Sequence, residues 1–260
     1  MSDTRETIIS VRNLKVGYGD TVILQNINFD VRSGEVFVIL GGSGSGKSTL
    51  LKNLIGLNTP LEGEVWIEGT NLLTSEGEER RDLLRKFGVA YQSGALFGSM
   101  TVLENVRLPL DELTPLPDPL KELTALAKLK LVGLGHAAEK MPSELSGGMQ
   151  KRAAIARAMA LDPRILFLDE PSAGLDPVTS ADLDLLITEL AHRFGITFVV
   201  VTHELASIYK IADRVIMLDR LTRTIVAEGQ PIELRDRSAD PWVHRFFNRE
   251  PDATAAGLHL

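Results

Sequence analysis

The feature that most constrains the fold of this sequence is a short apolar segment, residues 36–40, that runs directly into a glycine-rich stretch. The stretch begins at Gly41 and ends in Gly46, Lys47 and Ser48. Beyond it, apolar side chains recur at helical spacing: Leu50, Leu51, Leu54 and Ile55. The sequence therefore predicts a strand, a glycine loop and a helix, in that order.

The glycine stretch matches the pattern of a phosphate-binding loop. In such a loop, backbone N–H groups cradle phosphates, the lysine bridges the β- and γ-phosphates, and the hydroxyl that follows binds Mg²⁺. Glycine is needed because the backbone takes angles that a β-carbon would forbid. The alternative, a glycine-rich turn without a ligand, is disfavoured by the strand before the loop and the helix after it. The candidate nucleotide-binding residues are Gly41, Gly42, Ser43, Gly44, Ser45, Gly46, Lys47, Ser48 and Thr49.

A second apolar segment, residues 165–168, ends in the adjacent carboxylates of Asp169 and Glu170. A buried strand should end in two acids only where their charge is used or solvated, and neighbouring strand residues point in opposite directions. We therefore predict two roles: Asp169 holds Mg²⁺, and Glu170 orients or deprotonates the attacking water. The alternative is a strand that simply emerges into a polar turn.

Hydrophobic periodicity predicts an α/β fold. Residues 8–31 alternate between apolar and polar side chains, which is typical of antiparallel strands half exposed to water. Strands at residues 165–168, 196–201 and 215–218 alternate with helical segments, which predicts a mainly parallel sheet with crossover helices. The chain thus divides into an antiparallel β subdomain and a parallel core.

The chain changes character between about residues 93 and 160, where we expect a helical subdomain inserted into the α/β core. Prolines are predicted to break the chain there before leucine-rich helical stretches such as residues 120–131. These prolines are Pro109, Pro115, Pro117 and Pro119.

Residues 240–260 are predicted to form an extension beyond the core. Large apolar residues in it recur at helical spacing and predict a short amphipathic helix: Trp242, Val243, Phe246 and Phe247. Two interpretations stay open. The helix packs on the chain's own core, or it packs against a second chain or a regulatory subunit.

Composition excludes several classes of function. Charged residues are 24% and hydrophobic residues 44%, as in an average soluble protein, and the net charge of −7 disfavours a nucleic-acid partner. The absence of cysteine excludes disulfides, thiolate metal sites and cysteine nucleophiles, and fits a reducing compartment. Since no apolar run approaches the roughly 18 residues that span a bilayer, and residues 1–8 resemble no secretory signal, we expect a cytoplasmic location.

A further motif brings out a resemblance to a known family. The segment made of Leu145, Ser146, Gly147, Gly148, Met149 and Gln150 resembles the signature of ATP-binding-cassette (ABC) proteins. With it, residues 8–239 resemble one complete cassette ATPase. The resemblance implies a P-loop NTPase fold with a mainly parallel sheet, an N-terminal antiparallel β subdomain and an inserted α-helical signature subdomain, and it implies ATP and Mg²⁺ as cofactors.

The resemblance also assigns roles to single residues. Tyr18 would stack on adenine, although alone it could be an ordinary exposed aromatic. Gln92 would be the glutamine that contacts ATP and Mg²⁺, and residues 172–176 would form the D-loop. His203 would be the switch histidine, and it lies at the C-terminal end of a strand, where open α/β sheets keep their ligand chemistry.

The signature implies a second copy of the chain. In the family, Ser146, Gly147 and Gly148 would meet the γ-phosphate bound by the opposite subunit, with a helix N-terminus facing the anion. ATP would then close a pair of chains, and hydrolysis would reopen it. The sequence departs from the family at Met149, where many cassettes carry glutamine, and Gln150 follows instead.

Three classes of cassette share these motifs: subunits of membrane transporters, ATPases of DNA repair or chromosome structure, and translation-associated proteins. The chain has no long coiled-coil insertion, no zinc cysteines and no second cassette. We therefore expect it to power separate permease subunits, which would hold it at the inner face of the cytoplasmic membrane.

The residues that flank the catalytic motifs indicate a substrate class. Residues 92–97, 100–110 and 142–149 resemble the ATPase of Mla-type lipid transporters, which are linked to MCE-domain proteins. This resemblance implies phospholipid transport in a Gram-negative-type envelope. The implied partners are a permease, an MCE-type lipid-binding protein in the periplasm and a small cytoplasmic regulatory subunit. The alternatives are an importer of a small polar solute and, from another class, an ATPase of DNA repair or translation.

Overall fold

The computed structural model describes residues 5–250, which form two sheets surrounded by helices. The strands are β1 (Thr7–Tyr18), β2 (Thr21–Arg32), β3 (Val36–Gly41), β4 (Glu62–Ile67), β5 (Thr70–Asn71), β6 (Phe87–Ala90), β7 (Ile165–Asp169), β8 (Thr197–Val201), β9 (Arg214–Asp219) and β10 (Thr224–Gly229). The helices are α1 (Lys47–Leu54), α2 (Gly77–Arg85), α3 (Val102–Leu113), α4 (Asp118–Leu131), α5 (Gly147–Ala158), α6 (Pro177–Phe194), α7 (Leu205–Ile211), α8 (Pro231–Arg237) and α9 (Pro241–Asn248).

The sheets confirm the predicted α/β fold with its antiparallel subdomain. The first sheet has the order β2-β1-β4-β5 and is antiparallel. The second has the order β10-β9-β3-β8-β7-β6 and is parallel except at its edge, where β10 runs antiparallel to β9. Helices α3, α4 and α5 lie between β6 and β7 in the chain, where a helical insertion is expected.

The central strand β3 is buried on both faces because two separate cores cover it. Phe37 and Ile39 belong to the core that the strand shares with α1 and the antiparallel sheet. Val36, Val38 and Leu40 belong to the core formed with the inserted helices. A shift of one residue would exchange the two sets of side chains, so the register of β3 is strongly specified.

Pro109 is a correction to the sequence analysis, because it lies inside α3 and does not break the chain. The helix begins with a capping box, in which Glu104 N donates to Thr101 Oγ1 and Thr101 N donates to Glu104 Oε2. This cap and a buried apolar face hold the helix although proline cannot donate to the carbonyl of Asn105. The buried apolar side chains are Val102, Val106 and Leu110.

The other prolines lie at helix boundaries as predicted. Pro115 and Pro117 occupy the connection between α3 and α4, and Pro119 lies in the first turn of α4, where its missing N–H is not needed. No helix within residues 5–250 is long and apolar enough to cross a bilayer.

The C-terminal helix α9 packs on the chain's own core. Val243 and Phe247 are buried, and Trp242 and Phe246 are half-buried against the same core. Tyr209 on α7 donates through its hydroxyl to the carbonyl of Phe247 at 2.8 Å. The first of the two interpretations is therefore confirmed for α9. A contact with a second chain stays a prediction, and residues 251–260 of the extension lie outside the described part of the chain.

We predict that Phe247→Ala lowers the free energy of unfolding by about 3–5 kcal/mol, the range for truncating a buried aromatic side chain. Urea denaturation of the nucleotide-free protein measures the effect. Phe246→Ala is the matched control and should cost clearly less, since its ring is half-exposed on the same helix. Equal losses in the two variants would contradict the packing described here.

Candidate active site

The glycine loop between β3 and α1 accepts only glycine at its two ends. A β-carbon on Gly41 would lie 2.5 Å from the carbonyl oxygen of Leu218 and 2.6 Å from Ser45 Oγ. Gly46 precedes α1 with a left-handed φ of 95°, and a β-carbon there would lie 2.8 Å from Ile23 Cγ2 on β2. The loop is therefore pressed between the parallel core and the antiparallel sheet.

The ammonium of Lys47 lies at the mouth of this loop. Its Nζ donates to the carbonyl oxygens of Gly41 at 2.8 Å and Gly42 at 3.1 Å. Burial lowers the pKa of Lys47, and the carboxylates of Glu170 and Asp169 act in the opposite direction. The lysine predicted to bind phosphate and the two acids predicted to act with it are thus close enough to interact electrostatically.

Asp169, the last residue of β7, carries an unsatisfied buried oxygen. Its Oδ1 has no hydrogen-bond partner within residues 5–250. Burial raises the pKa of Asp169, and the neighbouring Glu170 raises it further, although Lys52, Lys151 and Lys47 act against both. A buried carboxylate oxygen without a partner is costly unless a cation or a donor reaches it.

Gln92 and Ser48 are the other two residues that the sequence predicts to hold Mg²⁺ with Asp169. The amide side chain of Gln92 is exposed and lines a cavity of about 490 Å³ together with Asp169, and Ser48 is exposed in the first turn of α1. Within residues 5–250, no cluster of three or more His, Cys, Asp and Glu side chains could hold a metal. Mg²⁺ is usually bound by one or two carboxylates together with substrate phosphates, so the role of Asp169 toward this ion stays a prediction.

Glu170 leaves the strand in an unusual backbone conformation. Its φ of 46° is left-handed, which costs on the order of 1–3 kcal/mol for a residue with a β-carbon. The direction of its side chain is therefore set by this turn, and not by the strand alternation that the sequence analysis assumed. The carboxylate reaches His203, whose Nδ1 lies 2.8 Å from Glu170 Oε1.

His203 follows β8 at the same edge of the sheet. Its side chain is 64% exposed, whereas that of Glu170 is 12% exposed. The histidine therefore lies between the buried carboxylate and solvent. The contact brings together two residues that the sequence predicts to be catalytic, and their chemical roles stay predictions.

Tyr18 lies at the end of β1, in the antiparallel sheet. It is 54% exposed, and its hydroxyl oxygen accepts a 3.3 Å hydrogen bond from Asn58 Nδ2. The ring is therefore available to a planar ligand. Thr49, by contrast, is half-buried in α1, where its carbonyl accepts from Asn53 Nδ2 at 2.8 Å.

The signature residues lie at the start of α5, where Ser146 and Gly147 are exposed and Gly148 is buried. Ser146 caps the helix by accepting from Met149 N at 3.3 Å. A β-carbon on Gly148 would lie 2.3 Å from Thr179 Cγ2, and one on Gly147 would lie 3.4 Å from Leu175. Leu175 lies just before α6 and Thr179 lies in its first turn, and neither belongs to the glycine loop.

Gln150 does not replace the glutamine that many cassettes have at the position of Met149. Its amide donates to the carbonyl oxygens of Pro142 at 3.0 Å and Leu145 at 3.3 Å, within its own subdomain. Met149 is half-buried against the core of the inserted helices.

Two cations of α5 make contacts near the site that were not predicted from the sequence. Arg157 donates to the carbonyl oxygens of Ala95 at 2.7 Å and Gly94 at 3.0 Å, and Lys151 contacts the segment at Gln92. The available signal was three long cations on a helix otherwise rich in alanine. Such a signal marks the residues as unusual but does not reveal their partners.

Known proteins resemble this chain over most of its length. A family model described as "ABC transporter" matches residues 24–173. The "Probable ribonucleotide transport ATP-binding protein mkl" of Mycobacterium leprae is 41% identical over 240 residues, or 92% of this chain and 68% of that protein. The "Intermembrane phospholipid transport system ATP-binding protein MlaF" of Haemophilus influenzae is 39% identical over 247 residues, or 95% of this chain and 92% of that protein.

A solved structure resembles the fold closely. It is the dimeric post-hydrolysis state of the ATP-binding cassette MJ0796 bound to ADP and Pi, with a TM-score of 0.77 and 33% sequence identity. The match covers 86% of this chain and 98% of that one.

We predict that Asp169→Asn raises the thermal midpoint of the nucleotide-free protein at neutral pH. Because burial raises the pKa of Asp169 above the unfolded value of about 4, the ionised carboxylate destabilises the fold increasingly as pH rises from below that value. The advantage of the variant should therefore shrink as pH falls toward about 4.

Thermal denaturation between about pH 5 and 8 measures this difference. Asp182→Asn, at an exposed position of α6, is the control and should change the midpoint little. A lower midpoint for Asp169→Asn at neutral pH would contradict the prediction.

Proposed function

Because the chain belongs to the ABC transporter family, we propose that it is the ATP-hydrolysing subunit of a transporter that moves phospholipids between membranes. The chain is an ATPase that binds ATP, as its family and its resemblance to an ADP-bound cassette establish. Residues 8–239 form the proposed ATPase domain, and residues 240–260 form its extension. The observation that carries the catalytic proposal is the Glu170–His203 contact beside the unsatisfied oxygen of Asp169.

Glu170 is the proposed general base. Its carboxylate would take a proton from the attacking water, and His203 would hold that carboxylate in place through Oε1. Lys47 would transfer its hydrogen bonds from the loop carbonyls to the phosphates and stabilise their charge. When bound, Mg²⁺ would neutralise phosphate charge, and Asp169, Ser48 and Gln92 are the residues that fit it.

The adenine would stack on the exposed ring of Tyr18. The pairing of β1 with β2 supports this assignment, since Tyr18 lies opposite Thr21, and Ile23 farther along β2 lies against Gly46 of the glycine loop. The same loop would bind the phosphates through its backbone N–H groups.

A second copy of the chain completes the proposed site. Cassettes of this family dimerise, as the structure of MJ0796 does. Ser146 and Gly147 are exposed at a helix N-terminus that contacts the segment leading into α6 and not its own glycine loop. They would therefore meet the ATP of the opposite chain, and the buried Gly148 lets this helix start pack closely on Thr179.

Phospholipid is the substrate class that the relatives favour. The match spans 92% of the protein named for intermembrane phospholipid transport, but 68% of the one named for ribonucleotide transport. Because the second relative is named for the transport of ribonucleotides, which are polar solutes, an importer of a small polar solute stays the alternative. Both names describe transport, and neither supports the DNA-repair or translation class.

The proposed partners follow from this transport role. Permease subunits would carry the substrate and hold the ATPase at the inner face of the cytoplasmic membrane. An MCE-type lipid-binding protein and a small cytoplasmic regulatory subunit would complete the assembly.

Purification of the tagged chain from membranes of its native cells tests the transport class. We expect a permease together with an MCE-domain protein and bound phospholipid. A permease recovered with a soluble-solute receptor, and without phospholipid, would instead support the alternative. The Lys47→Ala chain, which should assemble without cycling, controls for contacts that need ATP turnover.

Glu170→Gln tests the catalytic proposal. We expect ATP affinity to persist while turnover falls by ~10² or more, because the general base is lost. Dimer should accumulate with ATP, which size-exclusion chromatography detects. Wild-type turnover of the purified variant, free of contaminating ATPase, would refute the role of Glu170.

A further inference from the structure

We infer that Lys151, on the signature helix α5, is a positioning residue that holds the main chains of Gln92 and Glu170 in the geometry needed for hydrolysis. Its side chain is largely buried, at 9% exposure. Its Nζ donates to the carbonyl oxygen of Gln92 and, at 3.3 Å, to that of Glu170. One ammonium thus joins α5 to the segment after β6 and to the end of β7.

The contact between Lys151 and Glu170 involves a residue whose backbone is left-handed. The N–H of Glu170 donates to the carbonyl oxygen of Val201 at 2.8 Å, and the carbonyl oxygen of Glu170 accepts from Ala173 N at 3.2 Å. Lys151 adds a second donor to that carbonyl. Because φ is left-handed here, the backbone relaxes unless both sides of the residue are held, and relaxation would move the carboxylate away from His203.

The contact with Gln92 acts on the second segment of the site. Arg157, further along α5, holds the carbonyl oxygens of Gly94 and Ala95, so the helix fixes this segment at two places. Of the two cations, Lys151 is the one that also reaches the hydrolytic end of β7. Since α5 starts at Ser146, a movement of the signature helix would be transmitted through Lys151 to both segments.

The inference rests on the proposed role of Glu170, and it makes a separate claim about which kinetic step depends on Lys151. The lysine touches main-chain atoms of the hydrolytic machinery and not the phosphate-binding loop. Its loss should therefore lower the rate of hydrolysis while ATP binding persists.

Four variants test the inference in the full-length chain. Lys151→Met removes the donor but keeps an unbranched stem, and Lys151→Arg retains donors at a similar reach. Glu170→Gln is the reference for loss of the base. Lys128→Met is the matched control, because Lys128 is an equally buried lysine, at 8% exposure, that pairs with Asp162 away from the site.

We expect Lys151→Met to lose roughly 10- to 100-fold in kcat, the scale of small misplacements of catalytic groups, with KM and affinity for a fluorescent ATP analogue nearly unchanged. Lys151→Arg should recover most of the rate. Amide hydrogen exchange should quicken at residues 92–95 and 170–173 in Lys151→Met and stay unchanged there in Lys128→Met. Lys128→Met should keep its kcat even where its thermal midpoint falls.

A wild-type kcat in Lys151→Met would overturn the inference, and so would an equal loss in Lys128→Met at the same fall in thermal midpoint. If Lys151→Met does not fold, Lys151→Gln, with one shorter donor, is judged by the same criteria. Normal turnover of Glu170→Gln would refute the proposed function itself. An inactive Glu170→Gln beside a fully active Lys151→Met would refute only the role of Lys151.

Discussion

The site depends on the fixed register of three buried parallel strands, β3, β7 and β8, whose carboxyl ends meet at one edge of the sheet. Ile39 pairs with Val201, and Val201 pairs with Asp169. Side chains of each strand enter both cores alternately, so a shift of one residue in register would place each set of side chains in the wrong core. The glycine loop, the acids and the histidine all begin where these strands end, and the packing of the sheet therefore positions them.

Several features at this edge of the sheet cost folding free energy. Asp169 has a carboxylate oxygen without a hydrogen-bond partner, the backbone of Glu170 is left-handed, and the ammonium of Lys47 is partly buried. None of these features stabilises the nucleotide-free fold. They persist because the surrounding cores determine the backbone, and they suit a site whose polar groups are completed by a charged ligand.

The sequence predicted the order of strands, loop and helices around the site. The directions of single side chains and their long-range contacts were harder to predict. The strand, glycine loop and helix could be predicted because few sequences place Lys47 and Ser48 after such a loop. The side chains of Asp169 and Glu170 were expected to point apart because they alternate along a strand. The strand ends at Asp169, and the left-handed backbone of Glu170 sets the direction of its side chain instead. The contacts of Lys151 and Arg157 could not be foreseen, because they join a helix to segments far away in sequence. The chemical roles assigned to single residues stay predictions.

The C-terminal helix has a consequence for observing the protein. The indole of Trp242 lies 3.7 Å from the position that a β-carbon on Gly42 would occupy, so the ring borders the glycine loop. The chain has two tryptophans, and the other, Trp66, lies on β4 of the antiparallel sheet with its ring nitrogen bonded to Glu64. Trp242 is therefore an intrinsic fluorophore beside the phosphate-binding loop, and its emission reports on the environment of that loop without any added label.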